Sequence, residues 1–309
     1  MTTRLGNLGR HGGLAVEWPT IALLLATYSA FGLLTWFANA LPWWLLLPIG
    51  GYVVCLHGSI THEAVHGHPT RNGALNAGLV FPNLVLWVPY LRYAHLHRVH
   101  HNDDTLTDPF DDPESWFLTP RDWSELAPQT RWLLTANNTL VGRMILGPFI
   151  AVLRFLVAEM RVIAKGDKRT VIAWLWHIPA VALVLIWVMG VCNISLVEYL
   201  LLFVWPGTSL TLLRSYAEHR AHPDPLGRTA VIEAHPLMGL LYLNNNLHAP
   251  HHANPSLAWY RLPEEYRKNR AHYLRRNRGY LVEGYRTFLN ENLFRPHQPV
   301  PHPHLAGKD

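Results

Sequence analysis

Residues 41–66 read LPWWLLLPIGGYVVCLHGSITHEAVH, an apolar run that ends in a pair of histidines. The run belongs to a longer stretch, Trp18–His57, that contains no Lys, Arg, Asp or Glu. Because a helix needs about 20 apolar residues to cross a bilayer, this stretch is long enough for two crossings. Pro42 breaks it near the middle. The sequence therefore predicts a tight hairpin of two membrane-spanning helices, about Pro19–Ala38 and about Leu41–Leu56.

A second apolar stretch has the same form. Val171–Leu213 contains no Lys or Arg, and Cys192-Asn193-Ile194-Ser195 interrupts it. We expect two more helices here, about Val171–Val191 and about Leu196–Leu213. Only 15% of the 309 residues are charged, and 13 are tryptophan, which favours membrane interfaces. The predicted fold class is an all-α integral membrane protein with two helical hairpins, or about four spans.

The segments between the hairpins are too polar or too interrupted to cross a membrane. Asn76–Tyr93 is apolar but contains Pro82 and Pro89, so we expect it to lie at the interface or to dip in and return. Arg143–Lys165 mixes apolar residues with charges, which predicts an amphipathic helix on the membrane surface. The acidic segment Asn102–Arg131 predicts a loop or cap outside the bilayer.

The basic residues predict an orientation. Both hairpin turns lack Lys and Arg, whereas the N-terminal arm, the middle segment and the C-terminal third carry all of them. By the positive-inside rule these three parts, with both termini and a histidine-rich cap, lie on the cytoplasmic side of an inner or plasma membrane. The net charge of +5 then faces anionic lipid rather than nucleic acid.

Three parts of the chain are expected. Residues 1–17 form a polar arm, residues 18–292 the membrane domain, and residues 293–309 a Pro- and His-rich tail that we expect to be disordered and solvated. The arm lacks the apolar core of a cleavable signal. Cys55 and Cys192 do not form a CxxC pair, so the chain carries no built-in zinc or rubredoxin-type module of that kind.

Three short clusters of histidines dominate the rest of the sequence. They are His62-Glu63-Ala64-Val65-His66, His97-Arg98-Val99-His100-His101 and His248-Ala249-Pro250-His251-His252. Residues three or four apart share one face of a helix, so each cluster can aim its imidazoles at one point. Neutral imidazole is the commonest protein metal ligand and suits Fe, Zn, Cu and Ni. One such pair is a weak signal, but three in this order between apolar segments predict a metal centre.

The clusters resemble those of the membrane fatty acid desaturase superfamily, which includes acyl desaturases, alkane hydroxylases, and carotenoid ketolases and hydroxylases. The resemblance runs from about Trp18 to about Arg267 and is most specific in His97–His101 and Asn246–His252. The segment Trp259-Tyr260-Arg261-Leu262-Pro263 is similar to the segment after the last cluster in many members. The resemblance implies two non-haem iron ions with O2 as co-substrate. It also implies an oxidoreductase that acts on C–H bonds of a lipid-like substrate, foremost a fatty acyl or lipid desaturase or hydroxylase.

The resemblance also implies the site residues. Stearoyl-CoA desaturases have an extra histidine just after the fourth helix, and His219 takes a similar place here, with His222 as the alternative. The implied ligands are His62, His66, His97, His100, His101, His219, His248, His251 and His252. The residues expected to support ligands or to line the site are Glu63, Asp104, Glu218, His222 and Asn244, with Asn245 and Asn246 as alternatives to Asn244. We expect His57, His68 and His177 to be structural.

Other functions are open at this point. Thr61–Gly67 and the acidic residues Asp108–Asp112 also resemble the carotenoid ketolases and hydroxylases, and alkane hydroxylase is a third alternative within the superfamily. A membrane haem protein or a metal transporter would be a different class. Haem helices place histidines inside their spans, and a transporter needs polar residues there, whereas His177 and Glu198 are nearly alone in these spans.

Electrons must come from another protein. The chain has no haem-binding domain, no Cys-ligated iron–sulfur motif and no Gly-rich dinucleotide fingerprint. A separate ferredoxin, rubredoxin or cytochrome is therefore implied. The basic segment Arg261–Arg278 offers a surface for an acidic carrier, and contact with anionic lipid is the alternative.

Overall fold

The computed structural model describes residues 16–305. Two strands of two residues each, β1 (Val231–Ile232) and β2 (Leu281–Val282), pair in parallel. The α-helices, in chain order, are α1 (Trp18–Trp36), α2 (Trp43–Val65), α3 (Gly73–Leu79), α4 (Tyr90–His100), α5 (Pro120–Glu125), α6 (Pro128–Asn137), α7 (Leu140–Ile145), α8 (Gly147–Ala164), α9 (Lys168–Leu185), α10 (Leu196–Tyr199), α11 (Trp205–Glu218), α12 (Pro236–Leu241), α13 (His248–Ala253), α14 (Leu262–Arg276) and α15 (Gly284–Asn292).

Four helical segments of the described range are long and apolar enough to span a membrane. Two of them are α1 and α2, and the other two are Lys168–Val191 and Leu196–Glu218. The third span joins α9 to a π-helical turn, and the fourth joins α10 to α11 through another π-helical turn. The prediction of an all-α membrane protein with two hairpins is confirmed. The second helix does not stop at Leu56 but continues through the first histidine cluster to Val65.

The two hairpin turns touch each other. The Asn39 side-chain amide donates a hydrogen bond to the carbonyl oxygen of Cys192 at 2.9 Å. Helix α2 starts beside this turn and runs for 23 residues, which is about 34 Å at 1.5 Å per residue. The turns therefore lie at one end of the bundle, and the helix ends that carry His62 and His219 lie at the other. Which of these ends faces the cytoplasm stays a prediction.

Close packing of the second and fourth spans fixes the relation between two histidine-bearing helix ends. A Cβ atom on Gly51 would lie 2.7 Å from the Cβ of Pro206, and one on Gly207 would lie 2.6 Å from Cγ1 of Val54. Real carbon atoms do not approach so closely, so any larger residue at Gly51 or Gly207 would push the helices apart. Such a shift would separate the ends of α2 and α11, which both contribute to the site described below.

A buried ion pair ties the surface helices to the third span. Arg92 of α4 makes a bidentate contact with the Glu159 carboxylate of α8, at 2.8–3.0 Å, and Trp174 of α9 donates its indole N–H to the same carboxylate. The opposite face of α8 exposes large apolar side chains, among them Leu153 and Met160. The predicted amphipathic helix is therefore confirmed, with bounds of 147–164 rather than 143–165.

The acidic segment 102–131 contains α5 and the start of α6, which fits the predicted cap rather than a loop. The expectation about the tail was wrong. The tail is not disordered as far as Leu305, the last described residue. Its Val300 and His302 pair with Leu118 through two backbone hydrogen bonds of 3.0 and 2.9 Å, and the His302 side chain is buried rather than solvated. Most of the predicted arm, residues 1–15, lies outside the described residues, and the domain boundaries stay a prediction.

Candidate metal centre

Three helix ends carry the three histidine clusters. His62 lies in the last turn of α2, and His66 follows directly after that helix. His97 and His100 lie in the last turn of α4, with His101 at its end. The third cluster makes up most of the short helix α13. Helical spacing therefore turns each set of imidazoles toward a common side, as the sequence predicts.

The tertiary structure brings all nine expected histidines together in two groups. In each group, one ligand atom from every residue lies within 4.8 Å of those of the others. The five-histidine group contains His62, His66, His97, His101 and His251. The four-histidine group contains His100, His219, His248 and His252. Both groups mix residues from distant parts of the chain, so neither group is a single sequence cluster.

Within the groups the Nε2 atoms face one another. The Nε2 of His97 lies 3.1 Å from that of His66 and 3.0 Å from that of His101. In the second group the Nε2 of His219 lies 3.1 Å from that of His100 and 3.0 Å from that of His248. Two nitrogens bound at right angles to one metal ion, at about 2.1 Å each, would be about 3.0 Å apart. The spacing fits imidazoles that share a metal ion.

The opposite ring nitrogens meet carboxylates. The Nδ1 of His97 lies 2.7 Å from Glu114, that of His100 lies 2.9 Å from Asp112, and that of His252 lies 3.1 Å from Asp103. Metal-binding histidines commonly donate the N–H of their other nitrogen to a carboxylate, which fixes the tautomer and raises ligand basicity. This arrangement leaves the Nε2 atoms free to accept a metal ion.

Two of the expected supporting residues adjoin ligands. An oxygen of Glu218 lies 3.4 Å from the Nδ1 of His248 and also contacts Arg214. An oxygen of Glu63 lies 3.7 Å from the Nδ1 of His62, while its other oxygen accepts a hydrogen bond from the backbone N–H of Trp259.

Three other expectations meet different neighbours in the structure. Asp104 offers only its backbone carbonyl, to Arg228. The Asn244 side chain donates to the carbonyl of Trp259, whereas the next residue, Asn245, contacts the Nδ1 of His248 at 3.0 Å. The His222 ring hydrogen-bonds the backbone of Asp224 and belongs to neither histidine group. His219 thus lies in a histidine group and His222 does not, and Asp103 and Asn245 contact clustered imidazoles.

Sequence reasoning missed Asp103, Asp112 and Glu114 as neighbours of the histidines. These acidic residues stood out as part of a polar segment, and Asp112 also as part of the Asp108–Asp112 resemblance, but not as partners of particular rings. Their contacts arise because the chain folds back after α4, so that residues 12 and 17 positions beyond His100 and His97 reach those rings. No helical period encodes such a return, and the only sequence signal was the concentration of acids directly after a histidine cluster.

The histidines expected to be structural have other partners. The Nε2 of His57 lies 3.2 Å from the hydroxyl of Tyr28, and the Nδ1 of His68 lies 2.8 Å from Glu17. The Nε2 of His177 donates to the carbonyl of Leu86 at 2.8 Å. The structure places none of the three in a histidine group.

Burial controls protonation at most of the clustered imidazoles. Burial and nearby histidines hold the pKa of His251 well below its usual range, and the same causes lower the pKa of His66 to about 2. These rings are neutral at neutral pH, which is the form that binds metal. His100 differs: burial disfavours its charged form, but Glu114 and Asp112 outweigh burial and raise its pKa to about 9. A metal ion bound at His100 would replace the proton on one of its ring nitrogens.

The donor set limits the metals that fit. Both groups offer only imidazole nitrogen, and their rings are mostly buried, so soft thiolate-binding and hard oxygen-binding ions are poorly matched. Fe, Zn, Cu or Ni match nitrogen ligands. The two groups adjoin, since the His101 and His252 rings, one from each group, stack with centroids 4.3 Å apart, and the arrangement could hold two metal ions close together.

Comparison with known families agrees with this class of site. The model of the family described as fatty acid desaturase matches residues 35–284, which is most of the chain and includes every clustered histidine. The chain belongs to the fatty acid desaturase family. It is accordingly an enzyme, an oxidoreductase of the lipid desaturase or hydroxylase type, embedded in a membrane. No curated protein gives a significant match to the chain.

Proposed function

We propose that this enzyme is an O2-dependent, non-haem di-iron oxidoreductase that desaturates or hydroxylates a fatty acyl chain or similar lipid. The observation that carries the proposal is the convergence of nine imidazoles in two adjoining groups, three of which meet a carboxylate at the outer nitrogen. Iron held there would supply the oxidant that an unactivated C–H bond requires. All nine histidines are proposed as ligands.

The protein's own part in the reaction follows from its contacts. Glu114, Asp112 and Asp103 orient His97, His100 and His252 by accepting their Nδ1–H groups. Burial of the rings keeps bulk water from the reacting centre, which strengthens electrostatic interactions and suppresses side reactions. These roles demand a rigid site, and the His97 and His100 rings have partners at both nitrogens.

A lipid substrate suits the surroundings of the third cluster. An open, mainly apolar cavity of about 480 Å³ lies beside α13, where Leu247 directly precedes His248. Leu240 and Trp259 line the cavity. Leu240 belongs to α12, and this helix also exposes the side chain of Leu237. We propose that an apolar chain reaches the histidine groups along this side, from the bilayer.

The electron donor is proposed to dock on α14. An Arg276 nitrogen lies 3.6 Å from one oxygen of Asp103, and the other oxygen of Asp103 lies 3.1 Å from the Nδ1 of His252. Both Arg276 and Asp103 are partly exposed. This is a short route from a basic surface to a proposed ligand, and it favours an acidic one-electron carrier. The proposal also keeps this face in the cytoplasm, with the protein in the inner or plasma membrane.

One preparation tests the main proposal. The protein is purified in detergent, its iron is measured, and it is supplied with a reductase system, O2 and acyl lipids, alkanes or β-carotene in separate reactions. We expect about two iron ions per chain and a desaturated or hydroxylated acyl product by mass spectrometry. If product formed only from β-carotene or only from an alkane, that compound would replace the fatty acyl chain as the proposed substrate. A Soret band with no non-haem iron would overturn the proposal.

A further inference from the structure

Arg143 differs from the other buried arginines of the described chain. Arg92, Arg143 and Arg214 are each less than 9% exposed, and Arg143 is the most buried at 2%. Arg92 is paired with Glu159, and Arg214 with Glu218. Among residues 16–305, no carboxylate lies within ion-pair distance of Arg143. Burying an unpaired charge is costly, so this position needs an explanation.

The contacts of Arg143 leave part of its guanidinium free. Its Nε donates to the carbonyl of Asn137 at 3.1 Å, and its Nη2 donates to the side-chain oxygen of Asn138 at 3.2 Å. Its Nη1 is buried and has no hydrogen-bond partner in the described chain. Since a guanidinium has five N–H groups, three are unused, two on Nη1 and one on Nη2. Nη1 and Nη2 together form the outer edge of the guanidinium. That edge matches the two oxygens of a carboxylate.

Aromatic rings hold the guanidinium in place. The central carbon of the Arg143 guanidinium lies 3.8 Å from the centre of the Trp116 ring and 5.1 Å from that of Tyr216. The Arg154 guanidinium also contacts Trp116, at 4.8 Å, but its side chain is exposed. The rings stabilise the cation without neutralising it, so an anion beside Arg143 would still gain a strong partner.

Arg143 lines a cavity that also reaches the four-histidine group. The cavity has a volume of about 60 Å³, and Asn138, Tyr216 and Gln298 line it near Arg143, while His100 and His219 line it as well. One water needs about 10–15 Å³ of such volume, so a group of a few heavy atoms fits. Three carboxylates also line the cavity, and each already has a partner: Asp112 meets His100, Glu114 meets His97 and Glu218 meets Arg214.

We propose that Arg143 is the recognition residue of a carboxylate-binding site in this cavity. The carboxylate can belong to a free fatty acid or to a small soluble acid, and both present the same two oxygens to the fork. The site goes beyond the proposed C–H oxidation, because it rests on Arg143 and the cavity and does not depend on which metal the histidines hold.

The test compares ligand-dependent thermal stability in three versions of the full-length, metal-loaded protein in detergent. Sodium acetate, palmitate, methyl palmitate and inorganic phosphate are added separately to wild type, Arg143→Met and Arg154→Gln. We expect a carboxylate to raise the thermal unfolding midpoint of wild type and Arg154→Gln by about 2 °C or more. The midpoint of Arg143→Met should not change. Arg154→Gln is the matched control because it removes a charge from the other contact of Trp116.

Each outcome decides the proposal. A shift with palmitate but not acetate assigns the site to a fatty acid, and a shift with both assigns it to small carboxylates as well. An equal shift with methyl palmitate would mean that only the apolar chain binds, and a shift with phosphate alone would exclude a carboxylate. Either of these last two results overturns the proposal. The proposal is also overturned if the midpoint of wild type does not shift, if Arg143→Met shifts as much as wild type, or if Arg154→Gln loses the shift.

A folding defect does not obscure the result. If Arg143→Met fails to fold, Arg143→Lys keeps the positive charge but lacks the fork, and we expect it to bind the carboxylate about tenfold or more weakly than wild type. Equal affinity in Arg143→Lys would overturn recognition by the fork. The measurement needs no turnover. The shift in thermal midpoint can therefore be measured even if the proposed lipid oxidation is not found.

Discussion

The Nε2 of His219 lies 3.1 Å from the Nε2 of His100, although the two residues come from different helices. His219 follows α11 in an extended conformation, with φ −128° and ψ 144°, and pairs with Thr229 through a backbone bridge. The extended residue turns the ring away from the helix axis and into the four-histidine group. His219 is therefore the histidine that the end of the fourth span contributes to the four-histidine group.

The first prediction concerns His219 and His222. We expect His219→Ala to lose iron and activity as severely as His251→Ala, because each removes one proposed ligand. His222→Ala should keep most of its iron, since the His222 ring hydrogen-bonds the Asp224 backbone instead. Iron analysis of the three purified variants checks the ranking. An iron-free His222→Ala beside an iron-replete His219→Ala would reverse the assignment.

The second prediction concerns the carboxylates that meet the rings. Glu114→Gln and Asp112→Asn should weaken metal affinity or activity by about 10- to 100-fold, the usual cost of losing such a partner. Asp104→Asn is the matched control and should have little effect, because only its backbone carbonyl makes a contact here. Metal titration of the apo-proteins with a competing chelator gives the affinities. An unchanged Glu114→Gln would remove that carboxylate from the site.

The third prediction concerns the electron donor. Arg276→Glu should lower kcat/KM for an acidic plant-type ferredoxin by about tenfold and flatten its dependence on salt, because a rim charge acts mainly on association. Lys165→Glu, which reverses a charge at the end of α8 far along the chain from α14, is the control. Equal losses in both variants would indicate general attraction to the membrane or carrier rather than docking at Arg276.

The fourth prediction concerns orientation. In a background with Cys55 and Cys192 replaced by Ala, Ala40→Cys places a thiol in the first hairpin turn and Phe110→Cys places one beyond α4. Both native side chains at these positions are exposed. A membrane-impermeant maleimide added to intact cells should label Ala40→Cys and not Phe110→Cys. Labelling of Phe110→Cys from outside would invert the proposed topology.

The fifth prediction concerns the C-terminal segment. Gln298 accepts from the backbone N–H of Ala221, His297 donates its backbone N–H to the Tyr216 hydroxyl, and both residues line the Arg143 cavity. Truncation after Arg295 should lower the thermal midpoint and speed the loss of iron to a chelator, because it opens this cavity to water. Truncation after Leu305 is the control and should match wild type. Equal behaviour of the two truncations would contradict a structural role.

The sequence by itself determined the membrane class, the two hairpins and the histidines that meet. Apolar runs without charge can only be buried in lipid or protein, and helical spacing sets the imidazoles of each cluster on one face. These are local properties, so the helical spans and pairs such as His97 with His101 could be predicted, whereas the end of the second span at Val65 lies nine residues beyond the predicted Leu56. The sequence did not show that Gly51 and Gly207 allow close packing, because this role depends on the contact between the second and fourth spans.

Only the tertiary structure decided how the histidines divide and what surrounds them. His251 joins the rings of the first two clusters, while its neighbour His252 joins His100 and His219. Asp103 and Glu114 reach the rings through a returning loop, and the tail covers the cavity instead of being free. Such contacts depend on how distant segments pack, and packing has no period along the chain. For the same reason the unpaired burial of Arg143 could not be predicted, since a sequence shows a charge but not whether a carboxylate lies beside it.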